Sequence, residues 1–452
     1  MTTTIIIGGG GQQHDDNGGR DHDDHDDHAA AGAASPFCFL PSACSQHDVV
    51  PHMITRSPRG FGLDKPIDPM PYFRARHFGS KDIVQNRLIP PDAECSPLRR
   101  DFLRTSLALA SGASATDPLF TAANPQPVGD NSFPVRGDEL RSVIIDTDPG
   151  QDDAMAILFA LGANKLLDVK AITAVAGNVP LPLTERNARI IRDWADRTHS
   201  LPVYAGCPGP LQRALVTAAD VHGRTGLEGV DLHEPRAPKE SEHAVAYLVD
   251  TLRAAQPHSI TLVAIGPLTN LATALIKAPE ITQGVREIVI MGGAYFERGN
   301  VTPAAEFNIY VDPEAARTVF ACGVPITVLP RDVAVKAPIT PARIAPIRAL
   351  KKHCGAIVAD LMAAEVAYQE RRHGIASAPM YDPSAIGYLV NPALYTGRKV
   401  NVEIETAGEW TLGETVVDWT GRSMRAPNAV WITEVDADGF YAELQECIAN
   451  LP

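Results

Sequence analysis

The amino-acid sequence predicts an α/β fold, with a single large domain in which a mainly parallel central sheet is flanked by helices. Between residues 141 and 452, short runs rich in Val and Ile alternate with segments of helical periodicity. A polar loop follows most of these runs, and the order strand, loop, helix is typical of parallel strands joined by crossover helices. The sequence contains no run of about 18 apolar residues, so we expect no stable membrane insertion.

The elements of this fold are predicted in chain order from the same patterns. A Val/Ile-rich run that ends in a Gly, Pro or Asp turn predicts a strand, and acidic residues ahead of a helical period predict a helix start. The first five predicted strands are residues 142–145, 169–175, 260–265, 287–291 and 326–329. The helices predicted between them are residues 152–161, 184–196, 270–277 and 314–321.

The C-terminal part of the domain is predicted to add strands but no second site. The predicted elements are strands over residues 402–405, 414–418 and 430–435 and a closing helix over residues 439–450. A Gly-containing turn joins the first two strands into a hairpin. We expect Trp410 and Tyr441 to pack within the protein rather than to contact a ligand.

The first 95 residues differ in composition from the rest of the chain. Residues 12–34 contain seven Asp and one Arg, which is nearly half of the net charge of −14. Such a tract has little to bury, so residues 1–95 are predicted to be a low-complexity, disordered segment or a leader upstream of the true translation start. Metal binding by its His and Asp residues is the weaker alternative. The acidic balance of the whole chain argues against a nucleic-acid partner.

Residues 96–115 have the order of an export signal. Arg99 and Arg100 precede a modest apolar stretch, and the small residues Ala113-Ser-Ala115 follow it. This order is similar to that of a twin-arginine signal peptide, with a basic surface helix as the alternative. We therefore predict a periplasmic or secreted protein, cytoplasmic if the signal is not used. The prediction is completed by a linker over residues 116–140 and a catalytic domain over residues 141–452.

The predicted domain contains four widely spaced cysteines. They are Cys207, Cys322, Cys354 and Cys447. Their spacing fits neither a zinc site nor a redox pair, and an oxidising compartment would permit a disulfide. We expect buried free thiols.

Polar residues follow the predicted strands at the points where the strands end. Because ligands of parallel sheets bind at the carboxyl ends of the strands, these residues predict a binding site. Asp146, Asp148, Asp152 and Asp153 lie so close in sequence that their charges repel unless a cation or protons compensate them. Oxygen ligands without His or Cys favour Ca²⁺ or Mg²⁺, and ligands on irregular loops favour Ca²⁺.

The segment Asp146-Thr-Asp-Pro-Gly-Gln-Asp-Asp-Ala154 resembles the N-terminal signature of the inosine–uridine-preferring nucleoside hydrolases. The resemblance continues in order through Ala176-Gly-Asn178, His222-Gly-Arg-Thr-Gly-Leu227, Gly266-Pro-Leu-Thr-Asn270, Met291-Gly-Gly293, Gly299-Asn300, Ala305-Glu-Phe-Asn308, Asp312-Pro-Glu-Ala-Ala316 and Asp382-Pro383. It covers residues 141–451 and implies the Rossmann-related single domain of that family. It also implies hydrolysis of ribonucleosides to free base and ribose, for nucleoside salvage, by a homodimer or homotetramer.

The same resemblance implies a calcium site. Asp148, Asp153, Asp382 and the backbone carbonyl of Ile265 would bind one Ca²⁺. Asp148 would also act as the general base towards the attacking water, whose pKa the metal lowers.

The resemblance further implies how ribose is held. Asp152 and Asn308 would hydrogen-bond the 2′- and 3′-hydroxyls, and Asn300 and Glu306 would bind the 5′-hydroxyl. The remaining predicted contacts of the substrate are Asn178, Met291 and Phe307. Anionic and polar groups around the sugar stabilise the oxocarbenium character of the transition state.

The sequence departs from the family pattern at the predicted proton donor. Many members have a His before the last metal-binding Asp, where this sequence has Tyr381. A phenol is a weaker acid than an imidazolium, so Tyr381 either donates a proton to the leaving base or stacks on it. His222 and His373 are the alternative donors. Arg331 also replaces a usual Leu, and we expect structural variation only.

Two other functions remain open from the residues alone. Asp146-Thr-Asp148 after a strand is also compatible with a haloacid-dehalogenase-type phosphatase, with Asp146 as nucleophile and Mg²⁺ as metal, although the later motifs fit it poorly. A catalytically impaired nucleoside- or ribose-binding protein would keep the pocket but lack proton delivery.

Overall fold

The computed structural model describes residues 140–452, and these form an α/β domain around one nine-stranded sheet. The strands are β1 (Arg141–Thr147), β2 (Leu167–Ala174), β3 (Val203–Ala205), β4 (Ile260–Ala264), β5 (Val285–Met291), β6 (Ile326–Leu329), β7 (Tyr395–Ile404), β8 (Thr415–Asp418) and β9 (Ala429–Val435). The α/β class predicted from the sequence is thereby confirmed.

The helices of the described residues connect and cover these strands. They are α1 (Gln151–Gly162), α2 (Leu181–Trp194), α3 (Ala219–His222), α4 (Ala244–Ala254), α5 (Thr269–Lys277), α6 (Phe307–Val311), α7 (Pro313–Phe320), α8 (Arg331–Ala334), α9 (Pro341–Arg348), α10 (His353–His373), α11 (Pro383–Val390) and α12 (Ala437–Ala449). Two 3₁₀ helices lie at Pro279–Gln283 and Pro392–Leu394.

The strand order places the carboxyl ends of the parallel strands along one edge. The order is β3-β2-β1-β4-β5-β6-β9-β7-β8. Every pair from β3 to β9 is parallel, whereas β7 is antiparallel to both β9 and β8. The mainly parallel sheet is therefore confirmed, and the loops after β1, β2, β4, β5 and β6 open at the same edge.

The core lies on both faces of the sheet. In β1, Val143 and Ile145 belong to one buried cluster and Ile144 belongs to the other, as the alternation of a strand requires. Every residue of α1 except Asp152 is buried, because α10, α11 and α12 pack on this helix. A helix covered in this way is expected to be apolar on all sides.

The predicted elements all occur, with shifted ends, but several elements were not predicted. The strand predicted over residues 402–405 begins earlier, at Tyr395. The unpredicted elements are β3, α3, α4, α6, α8, α9, α10 and α11. The end of α10 does carry a recognisable signal, since its last turn is basic and Gly374 follows in the left-handed conformation with φ of 70°.

Other predictions about the domain have mixed outcomes. Tyr441 packs as expected, whereas Trp410 is 82% exposed, so the expectation that Trp410 packs within the domain was wrong.

The four cysteines are thiols rather than disulfides, and Cys322 is only half-buried. Within residues 140–452, no helix is long and apolar enough to cross a membrane. The predicted leader, signal peptide and linker lie outside the described residues.

A buried ion pair at the end of α2 fixes the chain that follows this helix. Arg192 and Asp193 are almost completely buried, and the guanidinium donates to Asp193 Oδ1 from Nε and Nη2, both at 3.3 Å. Thr198 Oγ1 and the Arg236 amide also donate to this carboxylate, at 2.8 and 2.7 Å. Burial alone would raise the pKa of Asp193, but the Arg236 and Thr198 hydrogen bonds and the Arg192 charge lower it below its ordinary value.

We expect Asp193→Asn to lower the free energy of unfolding by about 3–5 kcal/mol at pH 7, because the buried Arg192 loses its counter-charge. The pKa of Asp193 is lower in the folded protein than in the unfolded chain. The contribution of Asp193 to the free energy of unfolding is therefore present above its unfolded pKa of about 4. It is lost as the pH falls through the pKa of the folded protein.

Chemical denaturation at pH 7 and at about pH 3 measures this effect. The exposed Asp250 provides the matched control, and Asp250→Asn should leave the stability nearly unchanged. An equal loss of stability for Asp193→Asn at both pH values would contradict the electrostatic explanation.

Candidate active site

A cavity of about 550 Å³ opens at the carboxyl ends of the parallel strands. Its wall contains twelve of the residues predicted from the sequence, which come from loops far apart in the chain. They are Asp152, Asn178, His222, Ile265, Met291, Asn300, Glu306, Phe307, Asn308, His373, Tyr381 and Asp382. Asp148 and Asp153 are completely buried and lie behind this wall.

Asp148 follows β1 directly, and its two carboxylate oxygens have different surroundings. Oδ2 accepts a hydrogen bond from the backbone amide of Asn178 at 2.7 Å. Oδ1 is buried and has no hydrogen-bond partner. Burial, followed by the charge of Asp153, raises the pKa of Asp148 well above its ordinary value. Such a carboxylate is stabilised by a cation near Oδ1.

Two glycines leave the space in which the Asp148 carboxylate sits. A Cβ added to Gly177 would overlap Oδ2, and a Cβ added to Gly266 would overlap Oδ1. Neither glycine has a positive φ, so the requirement for Gly at these positions is one of space rather than of backbone conformation. This explains the Gly in two of the motifs that follow β2 and β4.

Asp152, Asp153 and Asp382 bring a further group of carboxylate oxygens together, all within 4.8 Å of one another. Asp153 accepts from Thr147 Oγ1 at 2.5 Å and from the Gly150 amide at 2.8 Å, which fixes its orientation at the start of α1. Burial raises the pKa of Asp382 well above its ordinary value, and the charges of Asp152, Asp153 and Asp148 raise it further. The residues present therefore fit a hard divalent cation with oxygen ligands.

The backbone carbonyls of Ile265 and Met291 lie beside this acidic group, at the ends of β4 and β5. Asn308 Nδ2 donates to both carbonyl oxygens, at 3.1 Å in each case. Since the amide nitrogen is used in this way, the side-chain oxygen of Asn308 is the atom available to a ligand. The Ile265 carbonyl retains a second lone pair.

The loop before α6 forms another part of the wall. Glu306 is the N-cap of α6, and its Oε2 accepts from the backbone amides of Gly293 at 2.9 Å and Asn308 at 3.0 Å. Burial raises the pKa of Glu306 to about 7, although these amides oppose the shift. Asn300 Oδ1 accepts from the amide of Phe307 at 2.9 Å, which fixes the orientation of the Asn300 amide.

His222 is buried at the end of α3, and its geometry disfavours the predicted role of proton donor. Gln151 Nε2 donates to the Glu228 carbonyl at 3.3 Å, so Gln151 Oε1 accepts from His222 Nδ1. This leaves His222 Nε2 as an acceptor. Burial lowers the pKa of His222 to about 4, so the ring is neutral at physiological pH.

Glu365 is a site residue that the sequence reasoning missed. It lies on α10 and lines the cavity while remaining only 6% exposed. One carboxylate oxygen of Glu365, one of Asp152 and a ring nitrogen of His222 lie within 4.8 Å of one another. Burial, followed by the Asp152 and Asp153 charges, raises the pKa of Glu365 well above its ordinary value. The available signal was an acid next to Val366 on the buried face of a helix.

The remaining predicted residues lie near the last turn of α10 and in the loop that follows. His373 is exposed at the rim of the cavity. Tyr381 precedes Asp382 and is hydrogen-bonded by Arg331, which also lines the cavity. The expectation that Arg331 is structural variation only was therefore wrong, since its side chain belongs to the site.

Asp146 does not belong to the cavity, contrary to the expectation that all four neighbouring carboxylates form one site. Its Oδ2 accepts from Thr173 Oγ1 at 2.5 Å and from Asn270 Nδ2 at 2.8 Å, so it links β1 to β2 and α5. Burial raises its pKa to about 7. Its hydrogen bonds direct the Asp146 carboxylate towards the neighbouring strand and helix rather than towards the acids that follow β1.

The fold and the buried acidic cavity define an α/β enzyme with a carboxylate-rich site at the ends of its parallel strands. The sequence profile described as inosine-uridine preferring nucleoside hydrolase matches residues 143–442. The chain therefore belongs to this family. It is a nucleoside hydrolase, an enzyme that cleaves the N-glycosidic bond between base and ribose, and the phosphatase alternative is not supported.

Curated relatives match the same part of the chain. An uncharacterised protein of Schizosaccharomyces pombe is 46% identical over 310 residues, which is 69% of this chain and 99% of the relative. The pyrimidine-specific ribonucleoside hydrolase RihB of Escherichia coli K12 is 39% identical over 310 residues, 69% of this chain and 97% of that protein.

Solved structures show the same similarity. A purine-preferring ribonucleoside hydrolase from Gardnerella vaginalis has a TM-score of 0.64 and 30% identity, over 68% of this chain and 98% of that one. A plant nucleoside hydrolase has a TM-score of 0.62 and 32% identity, over 69% of this chain and 99% of that one.

Gly177→Ala should lower kcat/KM for nucleoside hydrolysis by about 100-fold, because the added methyl displaces the Asp148 carboxylate by a fraction of an ångström or more. Steady-state kinetics, with a melting temperature to check folding, measures the effect. The matched control is Gly209→Ala, whose added Cβ would meet only Leu215, at 4.0 Å. Unchanged kinetics in a folded Gly177→Ala protein would show that the position of Asp148 is not critical.

Proposed function

We propose that this nucleoside hydrolase depends on Ca²⁺ and releases ribose and free base from ribonucleosides. The ion would be held by Asp148, Asp153, Asp382 and the backbone carbonyl of Ile265. The observation that carries this proposal is the unpartnered, buried Oδ1 of Asp148, whose charge acts on the nearby carboxyl of Asp382. The donor set contains only oxygen atoms on loops, which favours Ca²⁺. When bound, the ion would supply positive charge that lowers the pKa of the attacking water.

Asp148 is proposed as the general base. The amide of Asn178 holds its Oδ2, which leaves both lone pairs of Oδ1 free, one to face the ion and one to accept a proton from water. The surrounding glycines and its complete burial keep this oxygen in one position. A base that is fixed before the substrate arrives avoids the entropic cost of ordering during the reaction.

The sugar is proposed to lie between two pairs of polar residues in the cavity wall. Asp152 and the side-chain oxygen of Asn308 would accept hydrogen bonds from the 2′- and 3′-hydroxyls. Asn300 and Glu306 would bind the 5′-hydroxyl, and Asn178, Met291 and Phe307 would complete the pocket. Support comes from Asn308, whose amide nitrogen is already used by two carbonyls and whose oxygen is therefore free to accept.

The base is proposed to leave with little help from a charged acid. His222 is neutral, with a pKa lowered by burial to about 4. Burial also raises the pKa of Tyr381, so this hydroxyl stays protonated and can only share its proton through a hydrogen bond. His373 at the exposed rim is the remaining candidate for proton delivery. Pyrimidine ribonucleosides are the proposed substrates, supported by the 39% identity to the pyrimidine-specific RihB against 30% to the purine-preferring enzyme.

Two further proposals concern the whole protein. Residues 96–115 would direct export, and the mature enzyme would act as a homodimer or homotetramer. Both rest on the sequence and on the family resemblance alone.

Incubation of the protein with uridine, cytidine and inosine should release ribose, fastest from the two pyrimidine nucleosides. A chelator should abolish the release, and added Ca²⁺ should restore it better than Mg²⁺. Asp148→Asn should lower kcat by roughly 10²–10⁴-fold without changing the melting temperature greatly, because the substitution removes a general base and keeps the shape of the side chain.

The outcomes separate the parts of the proposal. Full activity after exhaustive chelation would contradict the metal requirement. A faster release from inosine would contradict the pyrimidine preference while leaving hydrolysis intact. Unchanged kcat in Asp148→Asn would contradict the assignment of the base.

A further inference from the structure

The two departures from the family pattern, Arg331 and Tyr381, are in contact inside the cavity. Arg331 begins α8 directly after β6, whereas Tyr381 lies just before α11. Arg331 Nη1 donates a hydrogen bond to the hydroxyl oxygen of Tyr381. The guanidinium carbon lies 5.9 Å from the centre of the tyrosine ring. Side chains fifty residues apart thus form one polar unit in the wall.

The neighbours of the Tyr381 hydroxyl determine what it can still do. Asn300 Oδ1 is occupied by the amide of Phe307, so the amide nitrogen of Asn300 is the atom that hydrogen-bonds Tyr381. A hydroxyl has two acceptor positions and one proton. Arg331 and Asn300 take up both acceptor positions, so the proton of Tyr381 is left for an acceptor in the cavity.

This proton remains in place over the working pH range. An ordinary phenol has a pKa near 10, so the Tyr381 hydroxyl is protonated at neutral pH. The Nε–H of Arg331 is also buried without a hydrogen-bond partner. The pair therefore offers hydrogen-bond donors, in a cavity whose other charged groups are mostly carboxylates.

The Arg331–Tyr381 pair lies near one end of the proposed sugar pocket. Tyr381 is hydrogen-bonded by Asn300, and both line the same cavity as Arg331 and Glu306. Asn300 and Glu306 are the residues proposed above to bind the 5′-hydroxyl. The donors thus lie at the end of the pocket proposed for the 5′ group of ribose.

We propose that Tyr381, held by Arg331 and Asn300, donates a hydrogen bond to the 5′ oxygen of the ribonucleoside and makes the enzyme select substrates that carry a 5′-hydroxyl. Arg331 is the positioning residue of this unit, because it orients the Tyr381 hydroxyl. This inference rests on the proposed function of the cavity. A substrate without the 5′ oxygen leaves the donor buried and unpaired, which disfavours that substrate.

The test compares kcat/KM for uridine and 5′-deoxyuridine. The wild-type enzyme should prefer uridine by roughly 10- to 100-fold. Tyr381→Phe should reduce this preference by about tenfold, and Arg331→Met should reduce it in the same direction. Arg331→Lys keeps a charged donor and should recover part of the preference, which a purely structural role of Arg331 would not predict. Melting temperatures identify variants that fail to fold. If Arg331→Met fails to fold, Tyr381→Phe still provides the test.

Tyr368→Phe is the matched control, because Tyr368 lines the same cavity from α10. Its preference for uridine over 5′-deoxyuridine should equal that of the wild type, whatever its overall rate. p-Nitrophenyl riboside, whose leaving group needs no proton, distinguishes the other role of Tyr381. If Tyr381→Phe slows uridine more than p-nitrophenyl riboside and keeps the 5′ preference, Tyr381 acts on the leaving base and the inference is overturned.

Failure of the inference and failure of the proposed function give different results. An active wild-type enzyme with equal kcat/KM for uridine and 5′-deoxyuridine would overturn only the inference. A wild-type protein that releases no ribose from any nucleoside would refute the proposed function. Uridine and 5′-deoxyuridine would then be compared by the rise in melting temperature that each causes. If uridine raised the melting temperature of the wild type and of Tyr381→Phe equally, the inference would be overturned as well.

Discussion

The burial of Asp148, Asp153 and Asp382 side by side is the constraint on which the site depends. These carboxyl groups are at most 2% exposed; the charge of Asp153 raises the pKa of Asp148, and the charges of Asp153 and Asp148 raise the pKa of Asp382. Burying one unpaired carboxylate already costs several kcal/mol, so a group of them is stable as anions only with a compensating positive charge. Because Asp382 comes from the segment before α11 and the other two follow β1, a cation at this point would also hold distant parts of the chain together.

Around this group, the wall of the cavity divides into two regions with different chemistry. Asp152, His222 and Glu365 form an acceptor-rich region next to the buried acids. Arg331, Tyr381 and Asn300 form a donor-rich region of the same wall. A ribonucleoside has hydroxyl groups that both donate and accept, so the two regions can orient it in one direction. The replacement of the family His by Tyr381 is thus accompanied by a partner, Arg331, that fixes the new hydroxyl.

The sequence predicted the class of fold and twelve of the residues that line the cavity, because local patterns carry that information. Val/Ile-rich runs predict the parallel strands, and polar residues after the strands predict where the cavity opens. The helix α10 and its Glu365 were missed because the helix is only weakly amphipathic and the acid lies on its buried face. The contact between Arg331 and Tyr381 could not be predicted from either residue alone, since it requires the relative placement of the ends of β6 and the segment before α11. Asp146 was assigned to the site by proximity in sequence, whereas its side chain points to Thr173 and Asn270.

Calorimetric titration of Ca²⁺ into the metal-stripped protein measures directly whether the buried acids hold one ion. The expected result is one ion per domain for the wild type and no measurable binding for Asp382→Asn, with near-normal binding for Asp146→Asn, whose carboxyl is equally buried but is held by Thr173 and Asn270. Unchanged Ca²⁺ affinity in Asp382→Asn, or loss of binding only in Asp146→Asn, would contradict it.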